Sequence, residues 1–327
     1  MISPALHLLG GYWLEEIRPA DLPTLAQLPG LAETLPGAGP DALTELAVEY
    51  QRLFGFNLPP YESVFIDPSG MLNAPATALV QRSYVQAGWA PPPGARFGAP
   101  DHLGLELLAL ADGLQVPDPL ADLPLLTHHL ALWAPVFILT LERLDPHPFY
   151  AHLGELTLAL ILEKLPAEPL PLGTDPFPRL PPAPLYRGTY QAPPGQPISA
   201  ADAPQEYPQQ GESLQQVLSR LLTPRLAGLY LTRQDLAAAG IALELPGGVG
   251  DRRHMLKTLL QLAAQYELLP GLFEHLARLC QSAASSYAEL AQANPAWTVY
   301  EQAWESRLDD TIRFLRQLDL ESISSAA

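Results

Sequence analysis

An all-α fold is predicted for this chain by three observations. Apolar residues recur at three- and four-residue spacing along most of its 327 residues. Proline, glycine and short polar residues stand where those stretches begin and end, and no run alternates apolar and polar residues as a half-buried strand does. The length suits two domains, and with 48% hydrophobic and 16% charged residues each has material for a core.

Taken in order, the first thirty-five residues predict a helix and a half, carried by His7 to Leu14 and by Asp21 to Leu28. Pro40-Asp41 opens a firmer helix that places Leu43, Leu46, Ala47, Tyr50 and Phe54 on one face, and Gly55 with Pro59-Pro60 ends it. A helix follows over about Pro75 to Ala87. The next begins after Pro100-Asp101-His102, with leucines at 103, 107, 110 and 114 on one face. Asp101 is expected to cap it, its carboxylate accepting the free N–H groups of the first turn. His102 and Glu106 are four apart and therefore neighbours on that helix. Pro135 lies inside the helix carrying His129 and Trp133 and should bend it. Phe149-Tyr150 opens the last helix of this first unit, which spans residues 1–168.

From Pro166 to Pro208, thirteen prolines leave no room for a helix, so residues 169–210 read as a proline-rich linker, most simply a free tether. Phe177, Leu185, Tyr186 and Tyr190 give it the means to lie against a domain. Residues 211–327 resume helical periodicity as a second, smaller helical domain. Its expected helices are Ser213 to Leu222, one opened by a Thr232–Asp235 capping box, one capped by Asp251, and two over about 271–293 and 295–318.

Composition narrows the function. Asp and Glu outnumber Lys and Arg by 35 to 18, a formal charge of −17. The first 168 residues hold 19 of the acids and 6 of the bases. Such a surface repels nucleic acid and anionic membranes and suits a cationic partner. No run of some twenty apolar residues predicts a membrane span, and Met1-Ile2-Ser3-Pro4-Ala5 lacks the positive start of an export signal, so a cytoplasmic location is expected. Cys280 alone makes no internal disulfide and reads as a small core residue. The histidines 102, 128, 129, 147 and 152 have no metal-ligand spacing, and no metal or cofactor is expected. Gly247 to Lys257 lacks the phosphate-loop spacing, because Lys257 does not directly follow the last glycine; Asp251 capping a glycine-built turn is the reading. No nucleophile elbow or catalytic carboxylate pair is visible, so the chain is read as a non-enzyme.

Three ordered motifs carry a resemblance. Pro60-Tyr-Glu-Ser-Val-Phe65 precedes a helix ending in Tyr84-x-x-x-Gly88; Pro100-Asp101-His102-Leu103 opens a leucine-rich helix; and His129-Leu-x-x-Trp133 follows. Together they resemble the TorD/DmsD family, with its NarJ-like members, of molybdoenzyme maturation chaperones. In place of the family's usual Glu-Pro, this chain has Gly98-Ala99. The resemblance covers only the first half. It implies a TorD-like helical bundle and a cytoplasmic chaperone that binds the apo catalytic subunit of a molybdenum-containing oxidoreductase, or its twin-arginine signal peptide, until the cofactor is inserted. It implies Asp101 and His102 as peptide-binding residues.

A leader of that kind joins two guanidinium groups to an apolar helical segment, so its receptor needs carboxylates beside an apolar groove. Glu62, Asp67, Asp101 and Glu106 are candidates for the first, and Tyr84, Trp89, Trp133 and Phe137 for part of the second, with His129 packed along the face of Trp133. Asp101 and His102 are thus expected open at the mouth of an apolar cleft. A helical adaptor that keeps the fold without binding a leader is the alternative. A NarJ-like chaperone whose client has no leader is a nearer variant, and a homodimer formed by helix exchange is conceivable.

Overall fold

A computed structural model describes residues 2–28, 30–35, 39–93, 98–113, 123–166, 175–180 and 214–325. The fold is all-α, and among the described residues there is no strand, only an isolated antiparallel bridge between Tyr61 and His102. The elements are α1 (Ile2–Leu14), α2 (Leu22–Leu25), α3 (Pro40–Tyr50), α4 (Glu62–Ile66), α5 (Thr77–Gln86), α6 (Leu103–Gly113), α7 (Ala131–Glu142), α8 (Pro148–Lys164), α9 (Leu214–Leu222), α10 (Pro224–Ala227), α11 (Arg233–Ala242), α12 (Arg252–Gln265), α13 (Leu269–Ala293) and α14 (Thr298–Ser325). The expected Leu114, Leu185, Tyr186, Tyr190 and Ser213 lie outside the described residues.

Local chemistry sets the boundaries. Pro40 stands in the first turn of α3, where its missing N–H costs nothing, and α3 runs on into a π-helical turn at Gln51–Gly55. The capping box expected at Thr232 forms: its hydroxyl accepts from Asp235 N at 3.0 Å and Asp235 Oδ2 accepts from Thr232 N at 2.8 Å. Asp251 Oδ1 accepts from His254 N at 2.8 Å, so the glycine-rich turn is a helix cap. Cys280 is buried, and that burial pushes its thiol up to about 12.

Helices α1 and α6 pack face to face because two glycines meet. A Cβ on Gly104 would lie 2.5 Å from the Gly10 carbonyl oxygen, and one on Gly10 would lie 2.8 Å from that of Gly104. Beside them Trp13, Phe54, Phe137 and Tyr150 pack edge to face. The Trp13 indole N–H is satisfied by Thr157 Oγ1 at 2.9 Å. The stretch 125–142 would be long and apolar enough to cross a membrane by length and composition alone, but 83% of it is buried inside the fold.

That stretch joins the two halves. It begins as a π-helical turn, Leu125–Leu130, and continues as α7. Pro135 has no N–H for the Ala131 carbonyl four residues earlier, and its ring crowds the preceding turn. The indole of Trp297 supplies the missing donor at 2.8 Å. Trp304 Nε1 reaches the Leu132 carbonyl at 2.7 Å, and the Tyr300 hydroxyl reaches that of Thr127 at 2.7 Å. All three donors are buried. The apolar side chains of α1–α8 and α9–α14 form one continuous buried cluster.

The described part of the proline-rich stretch, residues 175–180, is docked rather than free. Phe177 is buried edge-on against Trp304, with the guanidinium groups of Arg307 and Arg225 at 3.7 Å and 5.3 Å from its ring centre. Arg225 also donates to the carbonyls of Pro178 and Ile66, both at 2.7 Å. One arginine thereby ties the proline-rich stretch to α4.

Trp297→Phe removes the donor and leaves the Ala131 carbonyl buried and unpaired. In urea unfolding it is expected to cost about 1–3 kcal/mol. The cost should shrink in a Pro135→Ala background, where the alanine N–H can serve that carbonyl; an equal cost in both backgrounds would show that the indole does not act as its substitute donor.

Candidate functional site

Two helices start back to back. The first N–H groups of α4 and α6 have no partners within their own helices and need acceptors. Each finds them in the segment that leads into the other. Glu62 N donates to the Asp101 carbonyl at 2.9 Å, Ser63 N donates to Asp101 Oδ2 at 2.7 Å, and Leu103 N donates to the Pro60 carbonyl at 2.9 Å. Asp101 therefore caps α4 and not, as expected, its own helix. The cap of α6 is His102, whose Nδ1 accepts from Gly104 N at 3.0 Å, which places the ring proton on Nε2. Tyr61 sets its ring edge-on to His102, centroids 4.8 Å apart, and its hydroxyl accepts from Gly98 N at 3.2 Å.

The other site residues close around this clasp. Glu62 points inward with both carboxyl oxygens 2.9 Å from His129 Nδ1, and His129 Nε2 lies 2.8 Å from Ser83 Oγ. Glu106 Oε2 accepts from Trp133 Nε1 at 3.3 Å, and the Tyr84 hydroxyl donates to the Pro100 carbonyl at 3.0 Å. Trp133 continues through Phe65 to Tyr230 and the half-buried Arg252 guanidinium, 3.8 Å above the Tyr230 ring, so an aromatic column runs from the clasp into the second half.

Asp101, His102, Glu106, Tyr84, Trp133 and His129 are thus brought together, but none stands open. Asp101 and Glu106 are 0% exposed and His102 is 3% exposed. The expected open mouth of an apolar cleft is corrected: unpaired helix-start N–H groups draw the polar side chains inward. Asp67 is turned away into its own loop, accepting from Ser69 N and Ala76 N. Trp89 packs on Tyr84 and donates to Asp112, and Phe137 sits in the aromatic core. Glu62 is equally sealed, 0% exposed, and the serine beside it in the Pro60-to-Phe65 motif is the sequence signal that marks it.

Burial governs the electrostatics. It drives His102 down to about 3 and His129 to about 4, the latter against the opposing pull of Asp101. Burial first, then the charge of Asp101, raises Glu62 well above the usual carboxylate range. Glu106 is raised in the same way, with Glu62 and Asp101 adding to burial. Among the described residues no group of three or more His, Cys, Asp or Glu side chains is arranged to hold a metal ion.

An open concavity lies elsewhere. A groove of about 570 Å³ runs between α3 and the start of α11, with Phe56 and Val48 in it, 68% and 66% exposed, and Glu16 and Arg233 at its sides.

Residues 19–138 match the family described as nitrate reductase delta subunit. That segment, within the first half of the chain, is similar to this family. The nitrate reductase delta family is one of molybdoenzyme maturation chaperones, and the matched residues include the whole clasp, from Pro60 to Trp133. No curated protein and no solved structure matches the chain.

Asp101→Ala removes the acceptor of a buried N–H and is expected to lower stability by about 1–3 kcal/mol. Asp101→Asn keeps an acceptor and should cost less. Urea unfolding of the two variants tests this, and equal losses would show that capping of α4 is not what the side chain contributes.

Proposed function

We propose that this chain is a cytoplasmic, non-catalytic chaperone that holds the apo catalytic subunit of a molybdenum-containing oxidoreductase until its cofactor is in place. The observation that carries the reading is the family match across residues 19–138. In this reading residues 1–168 form the chaperone unit, 169–210 its linker, and 211–327 a helical unit covering the back of α7. The clasp fixes the relative placement of α4, α5 and α6. The groove at Val48 and Phe56 offers an exposed apolar surface to a client segment. A twin-arginine leader, if the client has one, reaches Asp101 and His102 only after the cover formed by Tyr61 and Gly98 moves aside.

The sealed state of Asp101 and His102 favours a second reading, a helical adaptor with the same fold that binds no leader. Affinity capture of the full chain from its own cytosol, with mass spectrometry, separates the two. The chaperone reading expects a molybdoenzyme catalytic subunit, lacking its cofactor, among the captured proteins. Cells without the chain are expected to accumulate that subunit in inactive form. Normal cofactor loading in such cells, with no such subunit captured, would overturn it.

A further inference from the structure

Glu62, Asp101 and Glu106 are gathered at the joint between α4 and α6 with no exposed surface, and among the described residues no lysine or arginine pairs with them. The groups that face them are His102 at the start of α6, His129 on the Leu125–Leu130 turn, Tyr84 on α5 and Tyr61 before α4. None brings a fixed positive charge. Asp101 Oδ1 and Glu106 Oε1 have no hydrogen-bond partner although both are buried. Sealed negative charge without a counter-ion is costly, and the orphaned acceptor of Glu106 points to a missing hydrogen.

We propose that this cluster is a proton-operated latch: α4 and α6 stay clasped while the Glu62–His129 pair and Glu106 hold extra protons, and releasing those protons opens the joint. Glu62 and His129 are neutral as a unit whichever of them carries the proton. An opened joint at neutral pH has neutral histidine and ionised glutamate, so closing this pair takes up one proton. Glu106 takes up another, its hydrogen-bonded Oε2 facing Trp133 and its orphaned Oε1 left for the O–H.

The direction follows from linkage. Carboxyl groups raised on closing favour the clasp at low pH and lose that effect as pH rises through their closed-state values. The two histidines, lowered on closing, act oppositely, but only below about pH 6.5, where an opened imidazole gains its proton. Above that, the carboxyls act alone. The joint therefore loosens toward alkaline pH, and what it uncovers is anionic.

Hydrogen exchange of the full chain tests this between about pH 6.5 and 8.5, following the segments that contain Ser63 and Gly104, with α14 as the reference for global unfolding. After correction for intrinsic base catalysis, the opening constant is expected to rise by up to about tenfold per pH unit for each proton released. Glu62→Gln and Glu106→Gln should each flatten that slope. An unchanged slope in both variants, or opening of the Ser63 and Gly104 segments only together with α14, would overturn the latch. Infrared spectroscopy gives a second measure that needs no variant to fold. Wild type at neutral pH should show the C=O stretch of protonated carboxyl groups, and its absence would overturn the proposal by itself.

Discussion

A proline in the middle of a deeply buried helix creates a debt of hydrogen bonds that the rest of the chain is arranged to settle. Pro135 leaves the Ala131 carbonyl without its donor inside a stretch that has no access to water. Two indoles and a phenol from the far end of the chain answer it and its neighbours. They stand at 297, 300 and 304, so a single helical face delivers all three. Large apolar rings and satisfied backbone groups arrive together, which makes this one joint both the polar and the apolar seal of α7. The second half is thus part of the interior of the first.

The clasp between α4 and α6 follows the same rule at a different place. Helix starts buried side by side have more donors than acceptors, and here each start is served by the segment leading into the other. The arrangement fixes register, because a shift of one residue would strand a buried N–H. It also brings acidic side chains into a setting that disfavours their charge. One piece of local geometry therefore orders three helices and places ionisable groups where their protonation is tied to conformation.

Much of this was legible in the sequence, and the rest failed for identifiable reasons. Periodicity located the helices because their apolar faces are regular, and the Thr232 capping box and the Asp251 cap followed from side-chain chemistry that acts within four residues. Pro135 announced the strain in α7 but not its remedy, since Trp297 lies 162 positions away and nothing local links the two. Asp101 was correctly read as a cap and assigned to the wrong helix, because the acceptor it offers is taken by an amide 38 residues earlier. Its burial was missed for the same reason: a charged residue reads as solvated until its partners are known. The docked stretch around Phe177 was read as a tether because prolines exclude a helix without excluding a contact made by one ring.

The grip of Arg225 and Arg307 on Phe177, together with the aromatic anchors on α7, changes what a broken backbone would mean for this protein. A protease that nicks the chain among its prolines would produce two fragments on a denaturing gel. In solution they would stay together, since the described bonds that join the halves across α7 are non-covalent and lie away from the cut. Such a nicked pair would behave as a two-chain protein, and its partners would meet the same surface.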